Sequence, residues 1–116
     1  MRTYGLIILA IVGVVFTTHA QQKKNKNAKV EVEVNGNCDM CKKRIEKAAF
    51  GVKGVKTAQW NAENQKLIMV LDENRTDALQ VQKVIAATGH DTKEVKSSEE
   101  AYDGLHFCCK YDRNEE

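Results

Sequence analysis

Four cysteines in this chain of 116 residues fall into two close pairs, a Cys-x-x-Cys at Cys38 and Cys41 and an adjacent pair at Cys108 and Cys109. A Cys-x-x-Cys can bind a metal ion, exchange electrons with a disulfide, or join two parts of a chain. Two thiolates form a soft site that selects Cu(I) first and then Zn(II), Cd(II) or Hg(II). Structural zinc normally takes four ligands. A two-sulfur site therefore suits an ion that is handed on, because an incoming ligand can attack from the open side.

The first pair stands where a strand gives way to a helix. Residues 29–35, "KVEVEVN", alternate apolar and polar side chains, which predicts a half-buried strand. Gly36 and Asn37 break this pattern, and from Cys41 the apolar residues follow helical spacing. The free N–H groups and the dipole at a helix start favour a thiolate, so the sequence predicts a lowered pKa for these cysteines.

The remaining elements complete a recognisable order. Strands are predicted over 55–61 and 66–72, and the second is apolar on both faces and is therefore expected to be central in the sheet or well covered. A helix over 76–88 and a fourth strand over 91–96 follow. The order of these elements, strand–helix–strand–strand–helix–strand, predicts an α+β, ferredoxin-like βαββαβ sandwich. It has a four-stranded antiparallel sheet with two helices on one face, and strands one and three are central.

Other side chains can add ligands to the first pair. His90 follows Gly89 in the turn that should face the cysteine loop, and it is either a third, nitrogen ligand or an exposed histidine. Cys108 and Cys109, with His106, can form a second soft-metal site or complete the first. They can also form disulfides with the first pair or contact a partner or membrane protein. The candidate metal ligands are Cys38, Cys41, His90, His106, Cys108 and Cys109.

The chain divides into four segments. Residues 1–20 combine Arg2, a run of about twelve apolar residues and small residues before a cut after Ala20, as in a secretory signal peptide. An uncleaved membrane anchor is the alternative, although a spanning helix needs about 20 residues. We predict a disordered leader at 21–28, the folded domain at 29–96 and a Cys-containing C-terminal tail at 97–116. The mature chain is then periplasmic or secreted, with no stable membrane insertion.

Residues 29–96 resemble a heavy-metal-associated domain, the module of copper chaperones, of the N-terminal tails of copper-pumping ATPases and of the periplasmic mercury-binding protein. The matching features are the Cys-x-x-Cys that opens a helix, the "GV" before strand two and the glycine after helix two. The resemblance implies that Cys38 and Cys41 bind the metal. The family usually has a methionine that packs under the loop two residues before the first cysteine, and Gly36 occupies that position here.

These features predict an exported Cu(I) carrier that catalyses no reaction and exchanges its ion with a donor or acceptor protein, such as a metal-transporting ATPase or an efflux component. It is expected to be a monomer or a metal-bridged dimer. The net charge of +2 gives no indication of nucleic-acid binding.

A mercury or other heavy-metal scavenger would use the same cysteines. A thiol-disulfide oxidoreductase is the enzymatic alternative, although the chain lacks proline and so the cis-proline of thioredoxin-like folds. A protein held by structural disulfides is a third possibility.

Overall fold

The computed structural model describes residues 24–113, so the predicted signal peptide at 1–20 lies outside the described residues. Three strands form one antiparallel sheet: β1 is Ala28–Glu33, β2 is Val55–Asn61 and β3 is Lys66–Leu71. Three α-helices, α1 Asp39–Phe50, α2 Ala78–Ala87 and α3 Glu99–Asp103, and a 3₁₀ turn, Phe107–Cys109, complete the described part. The prediction of an α+β domain with an antiparallel sheet is confirmed.

β3 lies between β1 and β2, so it is central as predicted. The prediction that β1 is also central is wrong: β1 is at an edge of the three-stranded sheet, because no fourth strand pairs with it in residues 24–113. Val32 of β1 and Trp60 of β2 are both opposite Leu67 in the register of the sheet. Leu67 and Met69 of β3 are completely buried, whereas Ile68 between them is 39% exposed. This two-residue alternation places one face of the sheet against the helices and leaves the other partly open.

The helices bury one stripe each against that sheet. In α1 the buried residues Cys41, Ile45 and Ala49 recur every four positions, which is one face of a helix. In α2 the buried residues Val81 and Ile85 are also four positions apart on one face. The Asp77 side chain caps this helix by accepting a hydrogen bond of 2.9 Å from the Gln80 N–H. These side chains and those of the strands form one hydrophobic core.

The predicted fourth strand over 91–96 is not formed in the described chain. Thr92 makes an isolated bridge with Val34, beside β1, and the chain then turns. The Thr92 hydroxyl accepts a hydrogen bond from Val95 N–H and donates one to Val95 C=O, and Gln82 of α2 accepts from Glu94 N–H. Local side-chain hydrogen bonds of this kind compete with strand pairing, and the segment has little apolar surface that pairing would bury.

Residues 97–113 pack onto the domain. Leu105, Cys109 and Tyr111 belong to the hydrophobic core, with exposed fractions of 6%, 0% and 3%. The Ser98 side chain caps α3 by accepting a hydrogen bond from Ala101 N–H. The chain therefore returns across the end of the sheet where β1 leads into α1.

Candidate metal centre

The four cysteines meet at the start of α1. Cys38 Sγ lies 3.6 Å from Cys41 Sγ, 3.7 Å from Cys108 Sγ and 3.7 Å from Cys109 Sγ. All four are free thiols. Within residues 24–113, the side chains of Cys38, Cys108 and Cys109 form a group of metal-ligand type whose sulfur atoms all lie within 4.8 Å of one another. The C-terminal pair thus joins the Cys-x-x-Cys.

Local backbone geometry positions the first pair. Cys38 is the N-cap residue of α1, with an extended backbone at φ −140° and ψ 179°, and Cys41 lies in the first turn. Interaction of the Cys38 sulfur with the Cys41 backbone N–H, and secondarily with the Met40 N–H, lowers the pKa of the Cys38 thiol to about 7, although burial opposes this. The lowered pKa raises the thiolate fraction of Cys38 near neutral pH, which agrees with its place at the start of a helix.

The C-terminal pair behaves in the opposite way. Burial, together with the neighbouring thiols of Cys41 and Cys38, raises the pKa of Cys109, and the Arg44 side chain partly offsets this. The hydrogen bond with Cys38 raises the pKa of Cys108. The centre thus combines one thiol that ionises readily with two that hold their protons until a cation replaces them.

A buried tyrosine holds the tail in place. The Tyr111 hydroxyl donates a hydrogen bond of 2.8 Å to Gly89 C=O and accepts one of 2.7 Å from Asp91 N–H. Gly89 has a φ of +114°, and a Cβ there would lie 2.7 Å from Ala101 C=O. The glycine after α2 is therefore required both by the backbone turn and by the tail that packs on it.

An ion pair fixes the tail beyond Tyr111. The Arg113 guanidinium donates two hydrogen bonds, of 2.8 and 2.9 Å, to the carboxylate of Asp91, which is 3% exposed. It also donates to Ser97 C=O at 2.6 Å. Burial raises the pKa of Asp91, but the hydrogen bonds from Arg113 and the Ser97 N–H outweigh burial and leave that pKa below its ordinary value.

His90 is completely buried rather than exposed. Its Nδ1 lies 2.8 Å from Asn35 C=O, and because a carbonyl only accepts, Nδ1 carries the proton. Its Nε2 has no hydrogen-bond partner among the described residues, and its ring stacks on Tyr111 with centroids 5.7 Å apart. His90 therefore packs beneath the segment between β1 and α1, through its hydrogen bond to Asn35. It lies outside the three-sulfur group. Ligation by His90 stays a prediction.

The other histidine of the tail is not drawn into the sulfur group either. His106 precedes the 3₁₀ turn, is exposed, and has its ring 5.8 Å from that of Phe107. Its role as a ligand also stays a prediction.

Two neighbours of the sulfur atoms were not among the predicted ligands. Met40 Sδ lies 3.5 Å from Cys108 Sγ, and the Met40 side chain is 44% exposed. Arg44 interacts with the Cys109 thiol, and its Nη1 is buried without a hydrogen-bond partner among the described residues. The position of Met40 between the two motif cysteines was the available signal for the first, and the helical spacing of three from Cys41 was the signal for the second.

The sulfur cluster carries little negative charge without a metal ion, because the pKa values of Cys108 and Cys109 are raised, and it becomes more negative when these thiols lose their protons. A soft cation that displaces the thiol protons fits this donor set, since thiolates bind Cu(I), Zn(II), Cd(II) and Hg(II). The start of α1 and the Arg44 charge reduce the cost of placing several thiolates together. The residues present therefore fit a soft metal ion.

No family model matches the chain, and no curated protein matches it. Solved structures do. The copper chaperone of Enterococcus hirae in its apo-form is 29% identical, with a TM-score of 0.52, and the match covers 56% of this chain and 96% of that one. A copper-binding domain from a P-type ATPase is 26% identical, with a TM-score of 0.54 over 56% of this chain and 89% of that domain.

Oxidized MerP from Ralstonia metallidurans CH34 has a TM-score of 0.55 over 58% of this chain and 94% of its own, at 24% identity. This likeness concerns the fold. No helix in residues 24–113 has the length and apolar character needed to cross a membrane.

Proposed function

From the premise that this chain carries a domain like the heavy-metal-associated domains of copper chaperones and MerP, we propose that the protein is an exported carrier of soft metal ions with Cu(I) as its principal cargo. The Cys38–Cys41 pair captures the ion, and a partner's thiolates remove it by ligand exchange. The protein itself catalyses no reaction.

The observation that carries this proposal is the pair of sulfur atoms 3.6 Å apart at the start of α1. The lowered pKa of Cys38, about 7, makes its thiolate more available near neutral pH, which favours formation of the first metal–sulfur bond. The likeness to a copper chaperone at 29% identity favours copper over the other soft ions.

The partner is expected to carry a similar thiol site. A copper-binding domain of a P-type ATPase shares this fold, so a metal-transporting ATPase or an efflux component fits as donor or acceptor. A thiolate of the partner attacks the bound ion, a mixed intermediate forms, and the ion leaves as the bonds to Cys38 and Cys41 break. The predicted signal peptide supports an exchange in the periplasm or outside the cell.

Anaerobic titration of the reduced mature chain, residues 21–116, with Cu(I) against a chromogenic Cu(I) chelator tests the proposal. We expect uptake of one ion per chain and loss of that uptake in Cys38→Ser. Failure of the reduced chain to compete for Cu(I), Hg(II), Cd(II) or Zn(II) would remove the proposal.

The low pKa of Cys38 also suits a thiol-disulfide oxidoreductase, whose attacking cysteine must be a thiolate. Reduction of insulin by the metal-free protein distinguishes the two functions. We expect no turnover above that of free dithiothreitol, whereas catalytic reduction that depends on Cys38 would favour the enzyme.

A further inference from the structure

We propose that the C-terminal double cysteine belongs to the metal site itself, so that one soft ion is enclosed by at least three sulfur atoms, from Cys38, Cys108 and Cys109, rather than held by the Cys-x-x-Cys alone. This inference rests on the proposed function and defines the coordination and the retention of its cargo.

The sulfur–sulfur distances favour a closed site. With a metal–sulfur bond of about 2.3 Å, two sulfurs are about 4.6 Å apart across a linear site, about 4.0 Å apart in a trigonal plane and about 3.8 Å apart in a tetrahedron. The distances from Cys38 Sγ to the other three sulfurs are 3.6, 3.7 and 3.7 Å. These distances are shorter than the spacing of a linear site. The sulfurs of Cys38, Cys108 and Cys109 all lie within 4.8 Å of one another, a group that does not include Cys41, so the geometry favours a site with three ligands.

The double cysteine is held at this position from both sides. Leu105, three residues before Cys108, is 6% exposed within the core, and Tyr111, two residues after Cys109, makes two hydrogen bonds to the turn after α2. The 3₁₀ turn Phe107–Cys109 between these anchors brings both sulfurs to 3.7 Å from Cys38. Cys108 is partly exposed and packs against the edge of the core, so its thiol is held beside Cys38.

The surrounding charge fits several thiolates on one ion. Three thiolates and Cu(I) carry a net charge of −2, which is costly in a partly buried site. Arg44 interacts with the Cys109 thiol and has a buried Nη1 that lacks a hydrogen-bond partner among the described residues. A thiolate at Cys109 is a stronger acceptor than the neutral thiol, so the positive charge of Arg44 favours the loaded site.

A closed site has a consequence for transfer. In a two-sulfur site a partner thiolate reaches the ion from the open side, whereas here Cys108 and Cys109 occupy that side. The tail must release the ion before a partner takes it. We therefore expect this chain to retain its cargo longer than a carrier that uses the Cys-x-x-Cys alone.

X-ray absorption of the Cu(I)-loaded mature chain measures the number of sulfur ligands directly. We expect about three or more sulfur neighbours per copper in the wild type and fewer in Cys108→Ser, which alters a partly exposed side chain, and in the Cys108→Ser/Cys109→Ser double variant. Lys110→Ala, an exposed neighbour in the same tail, is the matched control and is expected to keep the wild-type value.

Retention is measured on the same proteins as the rate at which a dithiol chelator removes Cu(I). We expect removal to be faster from both cysteine variants than from the wild type and from Lys110→Ala. The mass of the loaded species, measured by native mass spectrometry, should be that of a monomer, which excludes a third sulfur supplied by a second copy.

The outcomes separate the two proposals. A wild type that binds Cu(I) through two sulfurs, or cysteine variants that keep the wild-type sulfur number and removal rate, would overturn the closed site and leave the carrier function intact. A wild type that binds no Cu(I) would overturn both. Should the buried Cys109→Ser change unfold the double variant, the Cys108→Ser comparison alone decides between these outcomes.

Discussion

Trp60 fills the space beside Gly36. A Cβ on residue 36 would lie 3.0 Å from Trp60 Cη2 and 3.0 Å from Cys41 Cβ, both closer than an ordinary van der Waals contact. The Trp60 indole is 1% exposed, and its Nε1 donates a hydrogen bond of 2.8 Å to Val34 C=O. The tryptophan from β2 therefore supports the cysteine loop from beneath, in a chain that has no methionine at residue 36.

Gly36→Met is expected to lower the free energy of unfolding by about 1–3 kcal/mol, because the added side chain must displace the indole or the loop. In the Gly36→Met/Trp60→Phe double variant the smaller ring makes room, so we expect a favourable coupling energy of about 1 kcal/mol. Urea denaturation of the single and double variants measures both quantities.

Gly104→Ala is the control for the glycine change. A Cβ at residue 104 would meet its nearest atoms at 3.5 Å, and the backbone there is right-handed helical at φ −75°. Its stability should stay within about 0.5 kcal/mol of the wild type. Independent, additive effects of Gly36→Met and Trp60→Phe would contradict the packing relationship.

Cys38→Ser and Cys41→Ser should differ in stability although both impair Cu(I) uptake. Cys41 is completely buried among core residues, so its replacement by serine buries a hydroxyl and should cost about 1–3 kcal/mol. Cys38 is only partly buried and should tolerate the change. Urea denaturation of the metal-free proteins gives this comparison, and equal losses of stability would show that Cys41 is not a core residue.

We expect the rate of alkylation by iodoacetamide of the metal-free, reduced protein, measured as a function of pH, to show a phase with a midpoint near pH 7. The thiolate is the reactive form, and the pKa of Cys38 is lowered to about 7, below the value of about 8.5 for a free cysteine. The alkylation rate of Cys38 therefore rises from acid to neutral pH and becomes constant at higher pH. Cys38→Ser should remove this phase and Cys108→Ser should retain it. A lowest midpoint above pH 8 would contradict the assignment.

Stability should fall as the pH drops below about 6.5, because burial lowers the pKa of His90 in the folded protein. The unfolded chain then binds a proton that the folded chain resists, so protonation favours unfolding. The contribution of one such group is at most about 1.4 kcal/mol per pH unit. Urea denaturation from pH 5 to pH 7 measures the slope.

His90→Gln should reduce this slope, since glutamine can still donate to Asn35 C=O but does not titrate. His106→Gln, which alters an exposed histidine, is the control and should keep the slope. An unchanged slope in His90→Gln would assign the effect to other groups.

Arg113→Ala should destabilise the protein by about 3 kcal/mol, since it leaves the buried Asp91 carboxylate without its charged partner. This is the lower end of the range for a buried pair, because the Arg113 side chain retains 23% exposure. Asp112→Ala changes the exposed neighbour and should have little effect. Urea denaturation at pH 7 compares the two, and equal stabilities would mean that the Asp91–Arg113 pair does not hold the tail.

Local patterns in the sequence predicted the elements that depend on one buried face. β2 was predicted over the residues that form it, the two apolar faces of 66–72 predicted a central strand, and the change from two-residue to helical spacing located α1. The cysteine pair at the start of that helix followed from the same change of period. The spacing of apolar residues predicts these elements correctly because it indicates which face of each helix or strand is buried.

The sequence by itself determined the order of the first five elements, the placement of Cys38 and Cys41 at a helix start, and the direction of the pKa shift expected for Cys38, since each depends mainly on neighbours within a few positions. Only the tertiary structure decided that 91–96 turns instead of pairing, that Trp60 occupies the space at Gly36, and that Cys108 and Cys109 lie 3.7 Å from Cys38. The physical reason is that the pattern of apolar residues indicates which side chains are buried. It does not indicate which distant residues bury them. Seventy positions separate Cys38 from Cys108, and packing of Leu105 and Tyr111 on the domain joins them.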